Sequence, residues 1–414
     1  MIMQRQIGLC WLMLTVFAQR TTGQEVLAPV SAPPVVPPAL QERELDRPGQ
    51  LPATPPSAAW QAATPLQWGP VVVRPAVSYR FSYTDDVRAT TNLTSSSYLN
   101  EMSPSVTLEL GKHWAVGYGL NWRVYSDEDL DDTVDHSVTL SGSLPLRDWL
   151  LGLRHTSSFT ESSTVETGGQ TRQDNHGTAL SAFHRFDDQW SCELTAMQDI
   201  QNTTGFNDMT EWTTMNWVDF QAHPAVALGA GGGLGYISAD RGADQVYEQA
   251  LGRVTWRASR KIRVMASGGV EFRQFHGNSA ADDVVNPVVS GSVAYFLTEL
   301  TTLRLNASHA VTTSPFQDQF TKTTGVSGGI RQRLLGRLFL DLDAAYSHVR
   351  YESSASATTV NRQDDVFSLD ARLSTTVWKR GSAAVFYRRS EDSSNTPGFD
   401  VASNQVGLEF RYGY

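Results

Sequence analysis

The sequence predicts an all-β fold: a transmembrane up-and-down antiparallel β-barrel of about eighteen strands, behind a signal peptide and a disordered Pro-rich arm. Three observations predict it. The chain ends N-Q-V-G-L-E-F-R-Y-G-Y, with Val406, Leu408, Phe410, Tyr412 and Tyr414 on one face and Gln405, Gly407, Glu409, Arg411 and Gly413 on the other. A face toward lipid must be apolar, whereas a face toward a wet lumen can carry charge, so this period of two fits a bilayer-spanning strand with an aromatic carboxy terminus. The same alternation recurs from Gly69 onward, and the connections between its segments are short and long by turns.

The amino terminus is read first. Arg5 precedes an apolar run from Ile7 to Ala18, the size of a secretory h-region and too short to span a bilayer. Cleavage is expected after Ala18 or Gly23, and the Gly23 boundary makes residues 1–23 the signal peptide. Cys10 leaves with it, so the mature chain keeps Cys192 alone and has no internal disulfide. Residues 24–68 change composition abruptly: ten of the 18 prolines lie between Pro29 and Pro65. Proline without periodicity gives extended chain and no packed core, so this segment is expected to be a periplasmic spacer.

Residues 69–414 form the expected barrel. In Val71–Tyr83 the odd positions are Val71, Val73, Pro75, Val77, Tyr79, Phe81 and Tyr83, with Arg74, Ser78, Arg80 and Ser82 between them. Trp114–Ser126 sets Trp114, Val116, Tyr118, Leu120, Trp122 and Val124 against Gly117, Gly119, Asn121 and Arg123. Continued along the chain, the pattern gives strands at 70–83, 99–111, 114–126, 133–144, 149–160, 175–186, 190–201, 212–222, 225–238, 245–257, 261–275, 284–297, 301–313, 320–334, 337–350, 365–377, 381–391 and 402–414. The alternation is weakest in 175–186 and 212–222. Each segment covers the roughly 9–11 residues that a tilted strand needs to cross.

Short turns fall near Gly111–His113, Pro145–Asp148, Asp187–Gln189 and their successors, with longer polar segments between them. That is the asymmetry of short periplasmic turns and longer outer loops, and an even strand count puts both termini in the periplasm. Trp114, Trp149, Trp190 and Trp378 flank short turns and are expected to form an interfacial girdle. No run of about 18 apolar residues exists for a membrane helix. A soluble sandwich would also alternate, but it needs a second layer and several linked domains, and none is visible after Gly69.

Parity assigns the charged residues to an inner face. Lumen candidates include Arg74, Arg80, Arg123, Arg154, Arg263, Arg273, Arg304 and Arg372, with Glu101, Glu109, Asp341 and Asp343. On the lipid face such charges cost about 2–4 kcal/mol at the midplane, which enforces the parity. Inside, they either set a transverse field for hydrated solutes or pair across neighbouring strands. The formal net charge is −10. Parity nevertheless places about fifteen arginines against about ten acids in the lumen, so a weakly anion-preferring interior is expected. Gly229, Gly231, Gly233 and Gly235 share that face and are expected to let the wall bend or to leave space.

No catalytic residue, cofactor or metal is expected. Asp127–Asp132 lacks the glycine and bidentate spacing of a Ca²⁺ loop. His136, His155, His176, His184, His309 and His348 fall on the outward parity, His113 and His223 in inner turns and His276 in a loop. None is expected to activate a nucleophile.

The stretch R-P-A-V-S-Y-R-F-S-Y-T-D-D-V at Arg74–Val87, followed by Met102-Ser-Pro-Ser-Val-Thr-Leu, resembles the opening hairpin of the outer-membrane β-barrel porins often associated with exopolysaccharide and exosortase gene clusters. The hairpin of Tyr118–Tyr125 and His136–Leu144 is similar to that family too, although Val87 stands where its tip asparagine is usual. The resemblance is specific over about residues 70–160 and implies an outer-membrane barrel with no transferable functional residue. The leading expectation is a channel for small hydrophilic solutes. The alternatives are a barrel component of exopolysaccharide export or a structural or adhesion barrel with a blocked lumen. Expected partners are outer-membrane lipid and lipopolysaccharide, the barrel-assembly machinery and a periplasmic partner through the Pro-rich arm, with no nucleic acid.

Overall fold

The computed structural model describes residues 66–86, 96–128, 130–164, 169–277, 281–314, 316–355 and 360–413. The expected signal peptide at 1–23, the expected spacer as far as residue 65, the tip residue Val87 and Tyr414 lie outside them. All the regular structure among the described residues is strand.

The strands are β1 (Leu66–Trp68), β2 (Val71–Thr84), β3 (Ser97–Leu110), β4 (Trp114–Tyr125), β5 (Thr133–Leu146), β6 (Trp149–Thr164), β7 (Gly169–Arg185), β8 (Trp190–Thr203), β9 (Met209–His223) and β10 (Val226–Ala239). They continue as β11 (Asp244–Trp256), β12 (Ile262–His276), β13 (Val284–Thr298), β14 (Thr301–Thr313), β15 (Gln319–Leu334), β16 (Leu338–Ser353), β17 (Gln363–Trp378), β18 (Gly381–Ser394) and β19 (Val401–Gly413). Each of β2–β19 pairs antiparallel with its neighbours in sequence, and β19 closes on β2 from Gln405↔Thr84 to Gly413↔Ala76. The result is a closed eighteen-stranded barrel with one extra strand. Closure leaves no strand edge facing lipid, where an unpaired amide would be expensive.

That extra strand corrects the expected spacer boundary. Leu66, Gln67 and Trp68 pair with Val73, Val72 and Val71 of β2, and Gly69 turns the chain at φ 58°. Because β19 covers β2 only as far as Ala76, β1 occupies the remaining stretch of the same edge. Among the described residues the β19 pairing ends at Gly413, and β1 continues the lane.

A second difference lies at 161–174, expected as a loop. Here β6 and β7 stay in register as far as Thr164↔Gly169. A ladder that rises beyond the bilayer has water on both faces, so its sequence loses the apolar alternation while its backbone bonds persist. At the other end the turns are tight, and Gly111 (φ 63°), Arg147 (φ 51°), Leu335 (φ 46°) and Gly336 (φ 75°) adopt left-handed conformations to reverse the chain.

The two faces separate as parity requires. Large apolar side chains such as Tyr79, Phe81, Met102, Tyr118, Trp122, Leu228, Leu408 and Phe410 are exposed on the convex face. Glu101, Arg123, Asp135, Glu193, Glu271, Arg273 and Glu409 are buried on the concave one. Outward indoles and phenols form interfacial belts. Trp149 stacks on His184 at 4.6 Å, Trp190 packs on Phe220 at 4.8 Å, and Tyr83 and Phe81 meet Tyr98 at 5.3 and 5.9 Å.

Candidate lumen wall

The inner wall carries an alternating row of charges across the seam where β19 meets β2. Arg372 of β17 grips both carboxylate oxygens of Glu409 at 2.8 Å, and Arg411 approaches the same carboxylate at 3.3 Å. Glu409 also accepts from Arg80 of β2 at 3.2 Å, and Arg80 reaches Glu101 of β3 at 3.4 Å. Glu101 then meets Arg123 of β4 at 3.2 Å, and Arg123 meets Asp135 of β5 at 2.6 Å. Arg372, Glu409, Arg80, Glu101, Arg123 and Asp135 thus alternate in sign from β17 to β5.

Local sequence makes this row possible. The bond from β17 to β19 must cross β18, which presents Ala384 and Phe386 on the same face. The methyl group of Ala384 leaves the Arg372 guanidinium room to pass, while Arg80 lies over the Phe386 ring at 5.0 Å. Arg123 is 0% exposed and Glu409 2%. Ions so far from water persist only when paired and hydrogen-bonded.

Other expected residues are also paired. Arg74 holds Glu109 at 2.6 Å near the short-turn end. Arg273 bonds Glu271 at 2.8 Å and Gln245 at 2.8 Å, with the Tyr247 ring 4.8 Å away. Asp341 takes Arg331 at 2.5 Å, and Arg263 lies over Phe296 at 5.2 Å. Arg154 shares the concave face of β6, opposite Ala179 of β7. Arg304 and Asp343 are more exposed than these. With Asn306 and Ser308 they are exposed on the concave face of β14–β16, so that stretch of wall faces water.

Parity missed four inner acids: Glu211, Asp219, Asp364 and Asp392. The first two lie on β9, whose alternation is weak because Trp217 and Met215 point inward; the others lie near the loop end of β17 and β18. Asp219 and Glu193 both bind Arg253, at the close Arg253–Asp219 contact and at 3.4 Å respectively. Asp364 holds Arg362 at 2.6 Å. These carboxylates reduce the excess of arginine on which the anion-preferring expectation rests.

The glycine row of β10 faces inward, but its space is filled. A Cβ at Gly231 would meet the Trp217 ring at 2.5 Å, one at Gly233 would meet Met215 Cε at 2.7 Å, and one at Gly235 would enter the Tyr247 ring. The glycines form a bed on which rings from β9 and β11 lie flat, with Arg253 above Trp217 at 4.3 Å. Met215, Trp217, Leu251 and Val288 pack into a buried apolar cluster there.

The outward histidines bond to neighbours on the convex face, as Tyr118–His136 at 2.9 Å and His309–Thr324 at 2.7 Å show. One arrangement departs from the sequence reading. His155 Nε2 is 3.0 Å from Ser157 Oγ and its Nδ1 is 2.9 Å from Thr178 Oγ1, while His176 Nδ1 lies 2.9 Å from the same serine. A base thus does touch a hydroxyl, but no amide is free there to stabilise an oxyanion, since β6 and β7 spend theirs on the ladder. Among the described residues no cluster of His, Cys, Asp or Glu could hold a metal ion. In the 127–132 segment Asp132 accepts from the Tyr125 amide at 3.0 Å, a turn-stabilising bond.

The closed barrel, its apolar convex surface and its charged interior define an outer-membrane β-barrel of porin type. Residues 235–414, from β10 through the carboxy terminus, match the family described as "Putative beta-barrel porin 2". The match lies wholly beyond the opening hairpins on which the sequence resemblance rests. Among solved structures the chain is similar to OccK11 (OpdR) of Pseudomonas aeruginosa at 12% identity and TM-score 0.43, covering 83% of this chain and 96% of that one. It is similar to Pseudomonas aeruginosa OccK2 (OpdF), crystallised with glucuronate, at 13% identity and TM-score 0.45, covering 82% and 98%. The siderophore receptor PirA from Acinetobacter baumannii follows at 7% identity and TM-score 0.46, covering 83% and 80%. No curated protein matches. The architecture described above rests on the strand pairings, not on these likenesses.

Proposed function

We propose that the barrel is a passive channel for small hydrophilic solutes, with its short turns and amino-terminal arm in the periplasm and its long loops outside. One observation carries the reading: Arg304, Asn306, Ser308 and Asp343 stand exposed on the concave face of β14–β16. A wall meant only to be packed would bury its polar groups, as the seam row does. A wetted strip with donors and acceptors of both signs offers a permeating solute exchangeable partners for its lost hydration. Barrels of 16–18 strands are wide enough to leave such an aqueous path.

The test is solute flux through purified protein in liposomes, with small neutral sugars and amino acids in a swelling assay. Swelling that falls with solute size is expected. A folded barrel that admits none of them would remove the channel reading and leave a structural barrel or a polymer-export component.

A further inference from the structure

We propose that three loops close the outer mouth with an aromatic lid made of Phe206, Phe316 and Phe399, latched by Arg362. The inference rests on the channel reading and adds its gate.

Phe206 lies between β8 and β9, Phe316 between β14 and β15, and Phe399 between β18 and β19. The first two loops are separated around the ring by β9 through β14, roughly 30 Å along the wall at about 4.8 Å per strand. Yet the Phe206 and Phe316 rings sit 5.6 Å apart, edge to face. Phe316 and Phe399, separated by β15 through β18, sit 6.5 Å apart, again edge to face. Rings from such distant strands meet only by reaching across the mouth.

Arg362, which precedes β17, fastens the centre. Its guanidinium lies 3.6 Å from the Phe399 ring, 5.8 Å from Phe316 and 4.4 Å from Tyr351. Its charge is satisfied by Asp364 at 2.6 Å, and the residue is buried although it belongs to a loop. Backbone bonds tie the surrounding loops in the same plane: Ala281 N donates to Ser354 O at 3.0 Å, and Ser354 N donates to Asp318 O at 2.8 Å. An apolar constriction resists hydrated ions because water withdraws from it, so solutes pass only when the rings part.

The test uses the full mature chain with Cys192→Ser and Ser308→Cys, which places one thiol on the wetted wall. Whole cells are treated with a bulky anionic fluorophore maleimide that general porins exclude, and the same proteins are measured in planar bilayers. Phe206→Ala/Phe316→Ala/Phe399→Ala is expected to speed labelling at least about tenfold and to raise conductance. Labelling at the wild-type rate in a heat-modifiable barrel overturns the lid, whatever the conductance. Faster labelling with no conductance in either protein supports the lid and defeats the channel reading instead. If the triple variant does not assemble, Phe316→Ala alone breaks both ring contacts and is carried through the same labelling, with the same result required.

Discussion

Glu409→Gln is the most informative single change. It keeps shape and removes the one negative charge shared by Arg372, Arg80 and Arg411. The bidentate bond to Arg372 becomes at best a single neutral acceptance, and two more guanidiniums lose a counter-charge. Breaking a buried pair by neutralising one partner costs about 3–5 kcal/mol. The lower end applies, about 3 kcal/mol, because the Arg372 and Arg411 side chains are 26% and 34% exposed and can rehydrate. The loss should appear as a clear drop in the urea midpoint, or in the temperature at which the compact gel form gives way to the extended one. Adding NaCl should shrink the difference only slightly, since a site this buried is poorly screened. A variant with wild-type stability would show that the row is held by backbone closure alone and that its charges are incidental.

Further outcomes follow from the same wall. Gly235→Ala should destabilise the barrel by about 1–3 kcal/mol, because the new methyl displaces Tyr247 from its bonds to Thr213 and Glu211. Gly252→Ala, whose Cβ would meet nothing nearer than 3.9 Å, should be close to neutral in the same melt. Deleting residues 24–65 should leave folding unchanged. Extending the deletion through Trp68 bares the Val71–Val73 edge and should lower the gel-shift temperature; equal melting of the two would show that β1 contributes nothing. Arg304→Ala should move the reversal potential in a KCl gradient toward cations, whereas Arg123→Ala, at a site with no water contact, should cost stability. The reverse pattern would refute the division between wetted and buried walls.

The barrel was legible because lipid imposes a rule that each strand must obey separately. Val71–Thr84 and Val401–Gly413 declare their faces without help from their partners. The ladder beyond the bilayer at 161–174 was illegible for the same reason, since water on both sides demands no alternation. β1 was hidden too: Leu66–Trp68 is short and follows a proline run, and it pairs only because β19 ends early. Parity found Arg80, Glu101, Arg123 and Arg372, but it reports a face and not a partner. That Arg372 reaches Glu409 across Ala384, skipping a strand, depends on the depth of each residue in the closed ring. The lid was equally out of reach, because Phe206, Phe316 and Phe399 are isolated aromatics in polar loops until closure brings the loops together.

The inner wall divides its work among three sectors, and the division bears on selectivity. Around the seam, from β17 to β5, charges of alternating sign neutralise one another within a few ångströms, so their field at the centre of the lumen is that of short dipoles. On β9–β11 the glycine bed lets Trp217, Tyr247 and Arg253 lie flat, which fills volume, and the single Arg253 cation is outnumbered by the carboxylates of Asp219 and Glu193 that it faces. On β14–β16 charged groups do stand in water, and there Arg304 and Asp343 have opposite sign. Packing and pairing therefore remove most of the interior from electrostatic control of a solute. The many arginines near the seam serve chiefly to close the ring, and in the proposed channel permeant choice falls to the wetted strip of β14–β16 beneath the proposed lid.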